Sequence, residues 1–105
     1  YRYYMYNEHI LHEFEFDPVK EARNLKKHGI DFETAKEVFV DPDVVGSPDR
    51  HHSWKEERWY AVGRISDGSV VTVWYTLRNG RIRIIGAGRF RKGREEYEKR
   101  KISGL

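Results

Sequence analysis

Residues 57–88 read ERWYAVGRISDGSVVTVWYTLRNGRIRIIGAG. Two turn signals divide the stretch, Asp67-Gly68 and Asn79-Gly80. Such Asp-Gly and Asn-Gly pairs reach the positive φ angles that tight hairpins need. Between them lie runs rich in Val, Ile, Tyr and Trp, the residues that suit a pleated, half-buried surface. The stretch predicts three antiparallel strands over 57–65, 69–77 and 81–87. In the third, Arg81 and Arg83 fall on one face and Ile82 and Ile84 on the other, because strand side chains alternate.

Upstream, Phe14 and Phe16 alternate with Glu13 and Glu15 at the end of a further strand covering residues 10–16. Asp17-Pro18 then opens a helix, with Asp17 as cap and Pro18 in its first turn. Val19, Ala22 and Leu25 form its apolar stripe, and Gly29 stops it. Asp31 caps a second helix whose Phe32, Ala35, Val38 and Phe39 share one face, and Asp41-Pro42 ends it. Residues 46–56 read as an exposed loop. A last helix rich in Arg, Lys and Glu covers about 91–101. The order β-α-α-β-β-β-α predicts a single α+β domain over residues 1–105, with helices packed on an antiparallel sheet. Met5 is a candidate natural start, which would leave residues 1–4 as an addition.

Composition narrows the function classes. The chain has 105 residues and no cysteine, which removes disulfides, thiolate nucleophiles and cysteine-based zinc sites, and fits a reducing cytoplasm. No apolar run approaches the roughly eighteen residues that a membrane span requires. The net charge of +3 is unevenly spread. Residues 1–50 carry seven Lys or Arg against eleven Asp or Glu, and residues 51–105 carry thirteen against six. A basic half suits a polyanion, since neutralising phosphates releases counterions. The other reading is a solvated basic helix.

Four groups of residues could carry chemistry. Lys20, Asn24 and Lys27 form a polar stripe on the first helix, with His28 at its end; phosphate binding and an ordinary solvated face both fit. Arg81 and Arg83, joined by Arg64, could clamp phosphate oxygens, or could pair with Glu57 or another acid across the sheet. In Arg89-Phe90-Arg91, Phe90 suits either a base or the packing of the last helix. His51 and His52, near Asp49, have no second cluster at ligand spacing, so no metal or other cofactor is expected.

An ordered string of these residues resembles the BrnT family of toxins. It comprises Phe16-Asp17-Pro18, Lys20, Asn24, Lys27-His28-Gly29-Ile30, Phe32, Ala35, Phe39 and Asp41-Pro42. It continues with Glu57-Arg58-Trp59, Gly63-Arg64, Arg81 to Ile85, and Glu95-Glu96-Tyr97. The resemblance covers about residues 14–98. It implies a RelE-like fold, RNA cleavage that inhibits translation, a cytoplasmic location and a BrnA-like ribbon-helix-helix antitoxin through which the complex binds operator DNA. The chain departs from the pattern at 86–91: where the family has Ser-Ala-Arg, this sequence has Gly86-Ala87-Gly88, and Arg89 takes the arginine's part only if the chain shifts by one residue.

On this reading the protein is a metal-independent endoribonuclease. The RNA 2′-hydroxyl attacks the neighbouring phosphorus. Arg64, Arg81 and Arg83 stabilise the developing charge, Glu57 or His28 transfers protons, and Lys20, Lys27 and Arg89 hold the backbone. The alternative is a non-catalytic basic module that docks an acidic partner or nucleic acid.

Overall fold

The computed structural model describes residues 14–52 and 55–102. The elements are β1 (Phe14–Phe16), α1 (Pro18–His28), α2 (Phe32–Ala35, tightening into a 3-10 turn over Lys36–Val40), β2 (Val45–Pro48), β3 (Arg58–Arg64), β4 (Val70–Arg78), β5 (Arg81–Gly88) and α3 (Arg91–Ile102). A short 3-10 turn spans Arg50–His52. The α+β class and the meander β3–β4–β5 are as expected. Asn79 and Gly80 both have positive φ (51° and 77°), as a tight hairpin with its inverted turn requires.

Two features of the sheet go beyond the expectation. Its order is β1-β5-β4-β3-β2, and β1 runs parallel to β5, so the sheet is mixed. Part of the segment expected as loop is strand: Val45–Pro48 pairs antiparallel with β3 from Val62 to Trp59. Val45 is buried and supplies the apolar contact, while Ser47-Pro48 hid the strand behind turn-forming residues. Residues 10–13 of the predicted first strand lie outside the described residues.

The main core fills one face of the sheet. Phe32, Ala35, Val38 and Phe39, the predicted face of α2 and its 3-10 extension, pack on Ala61, Val71, Val73, Tyr75, Ile82, Ile84 and Ala87. Phe39 meets Tyr75 edge-on at 5.3 Å. On the other face α3 lies over β3 and β4, burying Tyr97 against Val45, Val62 and Val70. A bulge at Ile85 shifts the β4–β5 register by one. Ile82, Ile84 and Ala87 therefore face the core, and Arg81, Arg83, Gly86 and Gly88 face the α3 side.

Helix α1 docks in an unexpected way. Its caps are as read: Asp17 accepts from the Val19 amide at 2.9 Å, and Gly29, at φ 72°, donates to the Leu25 carbonyl. Its apolar stripe, however, faces outward, with Val19 57% and Leu25 48% exposed. The inward face is Glu21, Asn24 and His28, spaced i, i+3 and i+7. The reason lies in β1, which ends at Phe16 and leaves β5 without a strand neighbour on that edge beyond Ile84. Asn24 fills that edge. Its Nδ2 donates to Ala87 O at 2.8 Å, and the Ala87 amide donates to Asn24 Oδ1 at 3.1 Å. Nδ2 also donates to Ile30 O at 3.0 Å, and Glu21 accepts from the Phe32 amide at 3.0 Å. A helix seated on bare backbone is held by polar side chains, which an apolar pattern does not show.

Asn24→Leu orphans three backbone groups, so urea midpoints should report a loss on the order of 3 kcal/mol. Leu25→Ala should change stability by about 0.5 kcal/mol at most. Equal effects would contradict this docking. A Cβ at Gly93 would stand 2.2 Å from Thr72 Oγ1, so Gly93→Ala should destabilise the α3 docking by about 1–3 kcal/mol. Thr72→Ala should restore most of that loss in the double variant, since the next atoms stand at 3.5 Å; additive losses would show that α3 sits elsewhere.

Candidate functional site

Alternation and register set out the α3-side face in rows. Ser47, Tyr60, Trp74 and Gly86 are cross-strand neighbours in one row, and Arg58, Thr76, Arg83 and Glu15 in the next. Arg78 and Arg81 pair beyond them. This end of the sheet carries Arg58, Arg78, Arg81 and Arg83 against Glu15 and Glu56, with Trp74 beside them. Among the described residues no helix covers it.

Arg81 and Arg83 share a face, as the alternation predicts. Both reach Glu15: Arg83 Nη1 at 2.9 Å from Oε2 and Arg81 Nη1 at 3.6 Å from Oε1. The acid across the sheet is thus Glu15, brought opposite Arg83 by the parallel pairing of β1, and not Glu57. Glu57 is exposed at the start of β3, where its carbonyl accepts from Thr76 Oγ1 at 2.8 Å. Arg64 does not join the pair. It sits opposite Val70 while Arg83 sits opposite Thr76, six residues along β4 and so roughly 20 Å away.

Arg64 instead converges with Arg89 and Arg94 on a small pocket of about 190 Å³ at the other end, beside Phe90. Arg64 donates to Gly68 O at 2.6 Å, pairs with Glu98 at 3.2 Å and stacks 5.5 Å from the Tyr97 ring. Arg89 binds Ser69 Oγ and Asp67 Oδ2 at 2.9 and 3.0 Å. Asp41 ties this region together. Its Oδ2 accepts from the Tyr97 hydroxyl and the Arg64 amide, both at 2.6 Å. Burial, and then the bond to Asp41, pushes the Tyr97 hydroxyl well above its ordinary value, so it stays a donor.

Phe90 lies between this pocket and a larger groove of about 590 Å³. The groove is bounded by Arg50, His51, Tyr60, Trp74, Lys92 and Glu96, among others. The Phe90 ring meets Trp74 edge-on at 5.2 Å and His28 at 5.3 Å. It rests on Gly88, where a Cβ would stand 2.4 Å from a ring carbon. The departure at 86–91 therefore has a steric meaning: Phe90 occupies the space that a side chain at 88 would need. Gly86 has only Asn24 Oδ1 near its Cβ position, at 3.7 Å, and is not so constrained.

The remaining candidates are dispersed. Lys20 and Lys27 are exposed on α1, on either side of the inward Asn24. Among the described residues no group of three His, Cys, Asp or Glu is placed to hold a metal. His51 lines the groove, and the His52 side chain lies outside the described residues. The sequence reading missed Glu15, Arg58, Tyr60, Trp74 and Glu96. Counting pairs outward from the two hairpin turns would have set Tyr60 opposite Trp74; Glu15 and Glu96 depend on the parallel β1 and on the seat of α3, which no local pattern reveals.

The fold and this face define a small α+β domain with a cationic, aromatic-lined sheet surface. A family model described as the ribonuclease toxin, BrnT, of type II toxin–antitoxin systems matches residues 16–95, and the chain belongs to that family. The family implies an RNA substrate and an antitoxin partner. The fold is similar to the 1.1 Å crystal structure of the Brucella abortus ribonuclease toxin BrnT, with a TM-score of 0.57 and 18% identity over 71% of this chain and 91% of that one. No curated protein matches. No described helix is long and apolar enough to cross a membrane.

The anchoring of Arg89 makes a pH prediction. Hydrogen bonds from the Ser69 hydroxyl and amide, and then from Arg89, pull the Asp67 carboxyl from 3.8 down to about 2. A carboxyl depressed in the folded state supports its turn above the unfolded value and loses that support as pH falls through the folded one. An NMR titration should place Asp67 near 2, with Ser69→Ala raising it more than Arg89→Ala does. The reverse order would mean that Arg89, not the Ser69 bonds, dominates the turn.

Proposed function

We propose that the chain is a metal-independent endoribonuclease that cuts RNA in the cytoplasm and thereby inhibits translation, on the RelE-like plan that the family resemblance implies. A BrnA-like ribbon-helix-helix antitoxin restrains it, and the complex binds operator DNA through the antitoxin. The observation that carries this reading is the meeting of Arg64, Arg89 and Arg94 on one side of Phe90, with His28 against the same ring.

In this reaction the 2′-oxygen bonds to phosphorus as the bond to the 5′-oxygen breaks. A base takes the 2′-hydroxyl proton, and an acid supplies one to the leaving oxygen. Of the two candidates for proton transfer, His28 is the one across Phe90 from the arginine pocket, while Glu57 stands at the Arg83 end. Histidine changes charge near neutral pH, as both roles require. Arg64 stabilises the phosphorane, with Arg89 holding the backbone beside it. Arg81 and Arg83, together with Lys20 and Lys27, hold flanking phosphates as a track. Metal independence is read from the sequence: the chain has no cysteine, and no second cluster at ligand spacing accompanies His51 and His52. The alternative, a non-catalytic binding module, has the same basic face and differs only in the absence of turnover.

The purified chain should cleave RNA in excess chelator, and its expression alone should arrest bacterial growth until the antitoxin is supplied. Arg64→Ala should lower kcat on the order of a hundredfold, whereas Arg83→Ala should mainly raise KM. Normal growth with soluble protein and no cleavage would establish the binding module. Cleavage lost to chelator and restored by a divalent ion would overturn the metal-free mechanism.

A further inference from the structure

The larger groove holds a feature that phosphate binding does not explain. Glu96, one turn into α3, lines this groove together with Lys92, Arg50 and His51, across Phe90 from the pocket that the proposed function gives to RNA. A carboxylate there repels phosphate. It is nonetheless held in position: the Tyr60 hydroxyl lies 3.2 and 3.4 Å from its two oxygens, and among the described residues Glu96 has no ion pair. Burial and the charge of Glu96 push the Tyr60 hydroxyl above its ordinary value, so it stays a donor. One Tyr60 hydrogen bond leaves most of the acceptor capacity of the carboxylate unused.

The walls around Glu96 suit a flat ring. Trp74 and Phe90 stand at 80° to each other, and Phe90, 36% exposed, is seated on Gly88 where no side chain could lift it. The volume, about 590 Å³, lies within the range of small-molecule sites. Aromatic faces stack any base. A carboxylate is more selective. Guanine alone presents two adjacent N–H donors, N1–H and the 2-amino group, which match both oxygens. Adenine and cytosine offer an amino donor beside a ring acceptor, and uracil one donor between two acceptors.

We propose that this groove is a guanine-recognition pocket of the RNA site, in which a splayed-out base stacks on Phe90 and meets Trp74 edge-on while Glu96, oriented by Tyr60, accepts from its N1–H and 2-amino groups. Lys92 and Arg50 at the rim receive the attached phosphate. Glu96 is thus a specificity residue, and Tyr60 a positioning residue.

This inference rests on the ribonuclease reading, but its test does not need cleavage. Binding of GMP, AMP, CMP and UMP to the full chain is followed by NMR shifts of the aromatic side chains. GMP should bind about tenfold or more tighter than the other three, as a bidentate edge contact provides. Glu96→Gln should remove that preference with little change for the others, at an unchanged urea midpoint. Phe90→Leu should weaken all four. Equal affinities in the wild type, or a GMP preference that survives Glu96→Gln, would overturn the pocket. GMP selectivity in a chain that cuts no RNA would keep the pocket and remove the nuclease reading.

Discussion

The pairing of the Asn24 side chain with the backbone of Ala87 is the contact on which the site depends. An amide side chain carries the same donor and acceptor as a peptide group, so Asn24 stands in for a strand residue where β1 stops. It satisfies the edge of β5, joins the α1–α2 connection through Ile30 O, and sets how α1 lies along the sheet. His28 follows four residues later on the same helix face, which brings it against Phe90. Without Asn24, nothing apolar on α1 would draw the helix inward, because Val19 and Leu25 face out.

The opposite side of the molecule is organised by Asp41. One carboxylate holds the start of β2 through the Asp43 amide, the end of β3 through the Arg64 amide, and α3 through the Tyr97 hydroxyl. Asn24 and Asp41 thus do by hydrogen bonding what a larger core would do by area. A chain of 105 residues with 35% charged residues has a modest apolar interior, and buried polar groups that are fully paired help specify a single arrangement.

How much of this was legible depends on the range of the interaction. The meander was readable because Asp67-Gly68 and Asn79-Gly80 fix register locally, and α2 because Phe32, Ala35, Val38 and Phe39 keep a helical period. The face of Arg81 and Arg83 followed from alternation alone. What failed were inferences across the fold. The apolar stripe of α1, Val19, Ala22 and Leu25, implies an apolar neighbour, and the neighbour is a backbone edge. Charge alone groups Arg64 with Arg83, and six positions of β4 separate them. The turn chemistry of Ser47-Pro48 points to loop, yet β2 pairs there with the edge of β3. The glycines at 86 and 88, met first as a departure from the family pattern, acquire distinct meanings only in three dimensions: Gly88 seats Phe90, and Gly86 stands beside Asn24.

The central claim is that Asn24 closes the open edge of β5 and so positions α1 and the aromatic cluster at its end. Amide hydrogen exchange at Ala87 measures it directly. In the wild type this amide should be protected as strongly as Val73 in the adjacent core strand. In Asn24→Ala it should lose that protection while Val73 keeps its own. An Ala87 amide that exchanges in the wild type at the rate of an exposed loop, or that remains protected without Asn24, would contradict the account.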